Sequence, residues 1–508
     1  MKSLTIIVCL IIVPFANANP LEVTLTLKQN SSIDQLAENV SDPNSDRYGN
    51  FYTPEEIKDL VGPSDQDYQT LLANLQREGF HVVDESRTHL LLRVEADHTV
   101  FERVFRTKLT YSHRYHYLKS GAFSVPERLS LIANVTGFDN RHSKIPHYQI
   151  HKVETLDNAQ PGILPAQIKE AYKLTSLYQE GLSGKDEDIA IAAFMDFSLD
   201  NVRTYYEKIG LSPMPKIEQI TFDGHPAPDD RAAVETELDS ELSGMIAPGA
   251  NIHVFSSSQN SDAGELNVFN AILDDNRSKL VNYSWGECEA VVSPQHRKDM
   301  EALFARAVAQ GVNILVASGD AGSDGCENRT LSAGWPNINP WVISVGGTTL
   351  NLGTKTKHLR EIAWQQSGGG VSKNYPQPVW QKLHSTYLKR ADPDIAFNSD
   401  PMTGEAVWSQ EARTDRPGWV IVGGTSMAAP QWVGFLALVN EARRLRNKET
   451  LGYLNPLLYK IPLLEKSRVF RDIIRGSNGA YRAQLGWDAV TGWGSMKGDA
   501  LLRYLLSQ

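Results

Sequence analysis

Ser426 lies in the string Gly423-Gly424-Thr425-Ser426-Met427-Ala428-Ala429-Pro430, which opens an apolar stretch through Trp432, Val433, Phe435, Leu436 and Val439. Glycines let another backbone approach closely, and small residues let a helix start deep inside a core. A serine at a helix N-terminus meets the positive end of the helix dipole, which favours negative charge developing beside it. That is the setting an attacking serine needs. Read by itself, the Thr425-Ser426 pair could equally cap a core helix.

A serine nucleophile needs a base. Asp196, His225 and Ser426 follow the Asp, His, Ser order of one known triad, and Asp196 ends a predicted strand. His225, however, sits in the proline-broken segment Phe222-Asp223-Gly224-His225-Pro226-Ala227-Pro228, and no histidine here is followed by Gly-Thr at a helix start. Arg231 to Asp239 offers a different base. On a helix, Glu235 and Asp239 are four residues apart and project from one face, while Glu237 points elsewhere. Two carboxylates so spaced are commonly a solvated helix face. Here Val234, Leu238, Leu242 and Met245 give that helix a side to pack against a sheet. A third candidate is Asp320 in Val316-Ala317-Ser318-Gly319-Asp320-Ala321-Gly322, a strand running into a glycine-rich loop, where an aspartate can also simply cap the turn.

The elements that must position these groups follow from hydrophobic periodicity. From about residue 163 onward, apolar β-rich runs at Ile189–Ala193, Ile252–Phe255, Leu280–Tyr283, Ile314–Ala317 and Val342–Val345 alternate with helical stretches. Those helices are predicted near 201–209, 231–246, 264–275 and 293–310. The alternation predicts an α/β fold with a parallel sheet covered on both faces, whose chemistry sits in loops beyond the carboxyl ends of the strands. Residues 20 to about 145 read as a separate α+β unit. It has an alternating strand at 22–27, helices at 54–61 and 64–78, a strand pair at 81–84 and 90–94, and a short helix near Val100. The polar run from Thr155 to Gly162 between the units predicts an exposed, cleavable linker.

Taken in order, Glu-x-x-x-Asp, Ser-Gly-Asp and Gly-Thr-Ser-x-x-x-Pro resemble the sedolisin family of serine-carboxyl peptidases. The likeness extends to Ser284-Trp285-Gly286, Ser344-Val345-Gly346-Gly347-Thr348 and Ser367-Gly368-Gly369-Gly370. In the N-terminal unit it includes Val40-Ser41-Asp42-Pro43, Tyr48-Gly49 and Thr53-Pro54-Glu55-Glu56. The resemblance implies a subtilisin-like parallel sheet preceded by a ferredoxin-like propeptide domain, over residues 156–508 and 19–155. It implies Ser426 as nucleophile, Glu235 as base, Asp239 holding Glu235, and Asp320 as a protonated oxyanion donor. Ser284, Trp285, Gly286, Gly319, Gly424 and Thr425 become the substrate-binding set. Asp472, Ile473, Gln484, Gly486 and Asp488 resemble a loop for one structural calcium ion, an all-oxygen set that suits a hard cation; a solvated tight turn is the alternative. A carboxylic acid donates a hydrogen bond and a carboxylate does not, so such an enzyme is expected to work in acid. A subtilisin-like triad and an inactive binding homologue are the alternatives.

The compartment follows from Lys2, the apolar run Leu4 to Val13, and Ala16-Asn17-Ala18, which together read as a secretory signal over residues 1–18. Cleavage there removes Cys9 and leaves Cys288 and Cys326, both after predicted strand ends. A disulfide is expected in an exported chain if their strands are neighbours. A formal charge of −10 argues against nucleic acid and anionic membrane surfaces as partners, and no later apolar run is long enough to span a bilayer. The expected partners are peptide or protein substrates and the chain's own propeptide, with the protein acting as a monomer.

Overall fold

The computed structural model describes residues 20–112, 115–119, 122–154, 162–353, 360–410 and 417–508. The expected signal over residues 1–18 lies outside the described residues, as do residues 155–161 of the expected linker.

The larger unit is built on a sheet whose strands run, in order, Lys216–Thr221, Asn251–Ser257, Asp188–Phe194, Leu280–Tyr283, Asn313–Ala317 and Ile343–Asn351. All five pairings are parallel, and Ile395–Asn398 adds a further parallel strand. Only Arg360–Ala363 joins antiparallel, along the far end of Ile343–Asn351. Strand alternation divides the core into two layers. Ile189, Ile191, Ile252, Val254 and Leu315 face the helices Asp230–Ile246 and Thr425–Arg444, whereas Ala190, Phe194, Val281, Ile314 and Val316 face Asp262–Asp275 and Pro294–Ala309. Neither face is left to solvent. Strand order reverses beside Asp188–Phe194, with Asn251–Ser257 on one side and Leu280–Tyr283 on the other. The crevice beyond the carboxyl ends at such a reversal is where open parallel sheets carry their sites.

The N-terminal unit has four antiparallel strands in the order His81–Glu85, Leu91–Ala96, Leu21–Leu27, Ile132–Thr136. Helices Asp65–Glu78 and His98–Val104 pack on one face through Tyr68, Leu71, Leu75, Phe101 and Val104. The βαββαβ order is the ferredoxin-like arrangement. Ser64 caps its helix by accepting from the Asp67 N–H, and Thr53 with Glu56 forms a capping box on Pro54–Val61. Helix Ile33–Ser41 was not expected from periodicity. It packs through Ile33, Leu36, Ala37 and Val40 against Ala305, Val308 and Ala309 of the larger unit, so its burial is decided by the partner face. The sheet's other face docks on the same layer: the Thr24 hydroxyl donates to Asn267 at 2.7 Å and Asn134 donates to Asp299 at 2.6 Å.

The expected unit boundary at 155 does not coincide with a break in packing. Strand Gln149–Glu154, assigned to the N-terminal unit, pairs antiparallel with Gly418–Gly423 of the larger one. Among the described residues no helix is long and apolar enough to cross a membrane.

Cys288 and Cys326 form a disulfide with Cα atoms 4.7 Å apart, as their neighbouring strands Leu280–Tyr283 and Asn313–Ala317 allow. The bridge closes a loop of sequence separation 38, for which chain entropy predicts about 4 kcal/mol of stabilisation. Unreduced denatured protein should therefore take up no alkylating reagent at these two sites. The Cys288→Ser/Cys326→Ser variant should unfold at lower denaturant concentration. Alkylation of both thiols without reductant would contradict the bridge.

Candidate active site

Strand Gly418–Gly423 ends at Gly424, whose φ of +105° suits glycine, and helix Thr425–Arg444 starts immediately after it. A Cβ on Gly424 would lie 2.3 Å from the His147 carbonyl oxygen and 2.5 Å from Asp320 Oδ2. Those two oxygens therefore converge on one spot at the helix start. Ser426, fully buried, donates its main-chain N–H to the same His147 carbonyl at 2.9 Å. Its hydroxyl donates to the Ser284 carbonyl at 3.3 Å.

Helix Asp230–Ile246 is wedged between the sheet and helix Thr425–Arg444, so nearly every residue from Ala232 onward is buried. This differs from a solvated acidic face. Glu235 and Asp239 have no exposed surface, and both Glu235 oxygens lack a hydrogen-bond partner among the described residues. Asp239 Oδ1 accepts the Ser284 hydroxyl at 2.7 Å, and Asn282 in turn donates to Ser284 Oγ at 3.1 Å. Burial first, then the neighbouring Asp239, pushes Glu235 well above the usual carboxylate range, while the adjacent Ser426 hydroxyl pulls it back. Burial likewise raises Asp239, against the bond from Ser284 and the nearby Asn282 amide. Two such carboxyls one turn apart in a dry site cannot both stay ionised, and they titrate as a pair sharing one proton. Glu237 points away, as its spacing predicts, and accepts from the Ser198 and Asn201 nitrogens and from Ser409.

Asp320 follows strand Asn313–Ala317, and its Oδ1 accepts both the N–H and the hydroxyl of Thr425, at 2.8 and 2.9 Å. The Thr425 hydroxyl also receives the Gly319 N–H at 3.0 Å. Asp320 Oδ2 is buried without a hydrogen-bond partner. Burial raises Asp320 to about 7 in spite of the two Thr425 bonds. A protonated Oδ2 there can donate where a carboxylate cannot.

The cleft is filled by the chain's own segment. Lys144 exchanges two hydrogen bonds with the Asn260 side chain, at 2.7 and 3.0 Å. Ile145 and Pro146 pair antiparallel with Gly286 and Trp285, and the His147 N–H donates to the Ser284 carbonyl at 3.0 Å. A side chain at Gly286 would strike the His147 ring, with Nε2 2.4 Å away. Burial alone holds that imidazole down at about 4. The expected set Ser284, Trp285, Gly286, Gly319, Gly424 and Thr425 is thus gathered around residues 145–148. Ser284 also orients Asp239 through its hydroxyl. Sequence reasoning missed His147, Lys144 and Asn260, which carry no motif and matter only through register. The alternative triad is not assembled: His225 is exposed, Ser426 is buried, and Asp196 accepts from the Phe197 N–H and Gln219.

At the C-terminal loop, Asp472 Oδ2 accepts the Gly486 N–H at 2.8 Å while its Oδ1 is buried without a partner. Asp488 accepts the N–H groups of Gln484, Val490 and Thr491, and burial raises it to about 6. No cluster of three or more His, Cys, Asp or Glu is placed to hold a metal among the described residues, so any ion here needs main-chain carbonyls as well. An oxygen ligand left free on Asp472 suits a hard cation, which carbonyls would have to complete.

Residues 13–141 match the family described as Pro-kumamolisin, activation domain, and residues 231–494 match the Subtilase family. Kumamolisin of Bacillus sp. (strain MN-32) is 32% identical over 76% of this chain and 73% of its own. Tripeptidyl-peptidase 1 of Canis lupus familiaris is 27% identical over 96% of this chain and 92% of its own. A solved structure of Pseudomonas sedolisin, a serine-carboxyl proteinase complexed with two molecules of pseudo-iodotyrostatin, aligns with a TM-score of 0.61 at 28% identity. It covers 69% of this chain and 100% of that one.

The raised Asp320 carboxyl has a consequence for stability. Its folded value of about 7 exceeds the ordinary 3.8, so over that window the folded state keeps a proton the unfolded chain has lost. The contribution is fully present below about pH 4 and is lost as pH rises toward 7, by up to about 1.4 kcal/mol per pH unit. In a Ser426→Ala background, Asp320→Asn should flatten the fall in melting temperature between pH 4 and 7. An unchanged slope would mean that Asp320 is ionised in the folded protein.

Proposed function

Because the chain belongs to the sedolisin family of serine-carboxyl peptidases, within the subtilases, we infer that Ser426 attacks a carbonyl held where the His147 carbonyl now lies. The observation that carries this reading is the Ser426 N–H bonded to that oxygen, with Asp320 Oδ2 lying on the other side of the same helix start. Ser426 Oγ bonds to the carbonyl carbon as its proton passes to Glu235. Asp239 keeps the proton the pair shares and, anchored through Ser284, holds Glu235 in place. The carbonyl oxygen becomes an oxyanion, stabilised by the Ser426 N–H and by the Asp320 hydroxyl. Collapse breaks the C–N bond, and the leaving amine takes the proton from Glu235. Water then gives Glu235 a proton as it attacks the acyl carbon, and the second collapse returns that proton to Ser426.

The chain is a self-processing zymogen, and the same geometry names its cut. The segment lies along Ser284–Gly286 as a substrate would, so the His147–Tyr148 bond is the one presented to Ser426. The new N-terminus is Tyr148, upstream of the polar run from Thr155 to Gly162 that was expected to be the cleaved linker. The N-terminal signal makes the enzyme an exported one acting in an acidic compartment. One calcium ion bound by Asp472 and Asp488 with the carbonyls of Ile473, Gln484 and Gly486 would brace the loop; its role is structural and no catalytic step passes through it.

Purified precursor should be inert near pH 7 and convert at pH 4 to a fragment beginning at Tyr148 by N-terminal sequencing, while Ser426→Ala stays intact. Conversion of Ser426→Ala in a protease-free preparation would defeat self-cleavage. Glu235→Gln precursor should neither convert nor cleave peptides, and Asp320→Asn should convert slowly and, once matured, show kcat lowered by about 10²–10³. His225→Ala should leave the rate near wild type, whereas its loss in a folded variant would favour a histidine base. Activity should disappear as pH rises through about 7, where Asp320 loses its donor proton, and full activity at pH 7.5 would sink the mechanism. Chelation should lower the melting temperature of wild type but not of Asp472→Ala; equal melting curves with and without chelator would remove the calcium ion.

A further inference from the structure

At the fourth residue before the presented bond, the Lys144 side chain is fully enclosed in a pocket of carboxyl groups. Its ammonium lies 2.7 Å from Asp262 Oδ1 and 3.2 Å from Glu265 Oε2, and it also pairs with Glu287. Asp262 and Glu265 stand on helix Asp262–Asp275, and Glu287 stands on the strand that holds the Ile145–Pro146 backbone. His296, from helix Pro294–Ala309, meets Glu265 at 2.7 Å, and the Tyr283 hydroxyl donates to the other Glu265 oxygen at 2.9 Å. The walls therefore belong to the catalytic unit, while the cation belongs to the segment that leaves on maturation. Three carboxyls face a single imidazole once Lys144 has gone, and a buried site with that imbalance favours another cation.

The register shows what enters. The His147 carbonyl marks the first acyl-side position, Ile145 opposite Gly286 the third, and Lys144, clasped by Asn260, the fourth. We propose that the pocket of Asp262, Glu265 and Glu287 is the fourth acyl-side subsite of the mature peptidase and selects a lysine or arginine side chain in peptide substrates. The inference rests on Ser426 acting at the His147 position. Occupied by Lys144 it is a latch for the propeptide; emptied, it recruits basic peptides that extend at least four residues before the cut bond. Such substrates are cleaved internally, and a blocked N-terminus does not prevent it.

The experiment uses matured enzyme and three acetylated peptides of sequence Xaa-Ile-Pro-His-Tyr-Ala, with Xaa lysine, norleucine or glutamate. Norleucine keeps the lysine's length and removes its charge. The lysine peptide should show kcat/KM at least about tenfold above norleucine, as one partly desolvated ion pair provides, and glutamate should be poorest. Glu287→Gln and Asp262→Asn should each bring the lysine-to-norleucine ratio toward one, with active-site titration and melting temperature confirming folded enzyme. Equal rates for lysine and norleucine would overturn the subsite and leave the Ser426 mechanism standing. Cleavage confined to unblocked peptides, three residues from their start, would likewise overturn it. Failure to cut any peptide, blocked or not, would overturn the Ser426 reading as well.

Discussion

Everything at the catalytic centre depends on keeping carboxyl groups out of water. Helix Asp230–Ile246 carries Glu235, Glu237, Asp239 and Glu241, and all four are buried because the sheet covers one side and helix Thr425–Arg444 the other. Burial destabilises the charged form, so each can persist only by holding a proton or by collecting donors. Glu237 collects three donors, whereas Glu241 has one and is held by burial well above the usual carboxylate range. Glu241 accepts the Trp408 N–H at 2.9 Å, and Glu237 takes Ser409 and the start of the helix Leu199–Lys208, so the two glutamates fasten strand Glu405–Ser409 to the helix. Among the described residues the Glu235 oxygens have no partner and Asp239 has the Ser284 hydroxyl, which ties the pair to the cleft rather than to the scaffold. The same dryness that raises their affinity for a proton keeps Asp320 able to donate.

The precursor restrains this machinery with a substrate-like geometry. The segment 144–148 satisfies the cleft's edge, its oxyanion donor and its acidic pocket together, and each contact is one a substrate backbone or side chain would make. Restraint comes from the ferredoxin-like unit, which docks on helices Asp262–Asp275 and Pro294–Ala309 through Thr24, Asn134 and the helix Ile33–Ser41. A tethered segment binds at high effective concentration, so modest contacts suffice to fill the cleft.

Much of the fold was legible because its elements are long and strongly periodic. Runs such as Leu280–Tyr283 and the helix near 231–246 bury one face or both, and burial leaves a pattern in the chain itself. The helix Ile33–Ser41 escaped because its apolar face is short and acquires meaning only against Ala305 and Ala309. The unit boundary escaped for a related reason: strand Gln149–Glu154 belongs by position to the N-terminal unit and by hydrogen bonding to Gly418–Gly423.

By itself the sequence determined which groups are chemically able: a serine at a glycine-led helix start, two carboxyls one turn apart, and an aspartate at a strand end. Those are local properties, set by spacing within a single element. Tertiary structure alone decided that Glu235 and Asp239 are dry and that Asp320 and the Ser426 N–H both come to the start of one helix beside the His147 carbonyl. It also decided that His147 and Lys144, unmarked in the sequence, occupy the cleft and its acidic pocket. Each of these requires segments far apart in the chain to arrive at one place, and neither periodicity nor residue type encodes that distance.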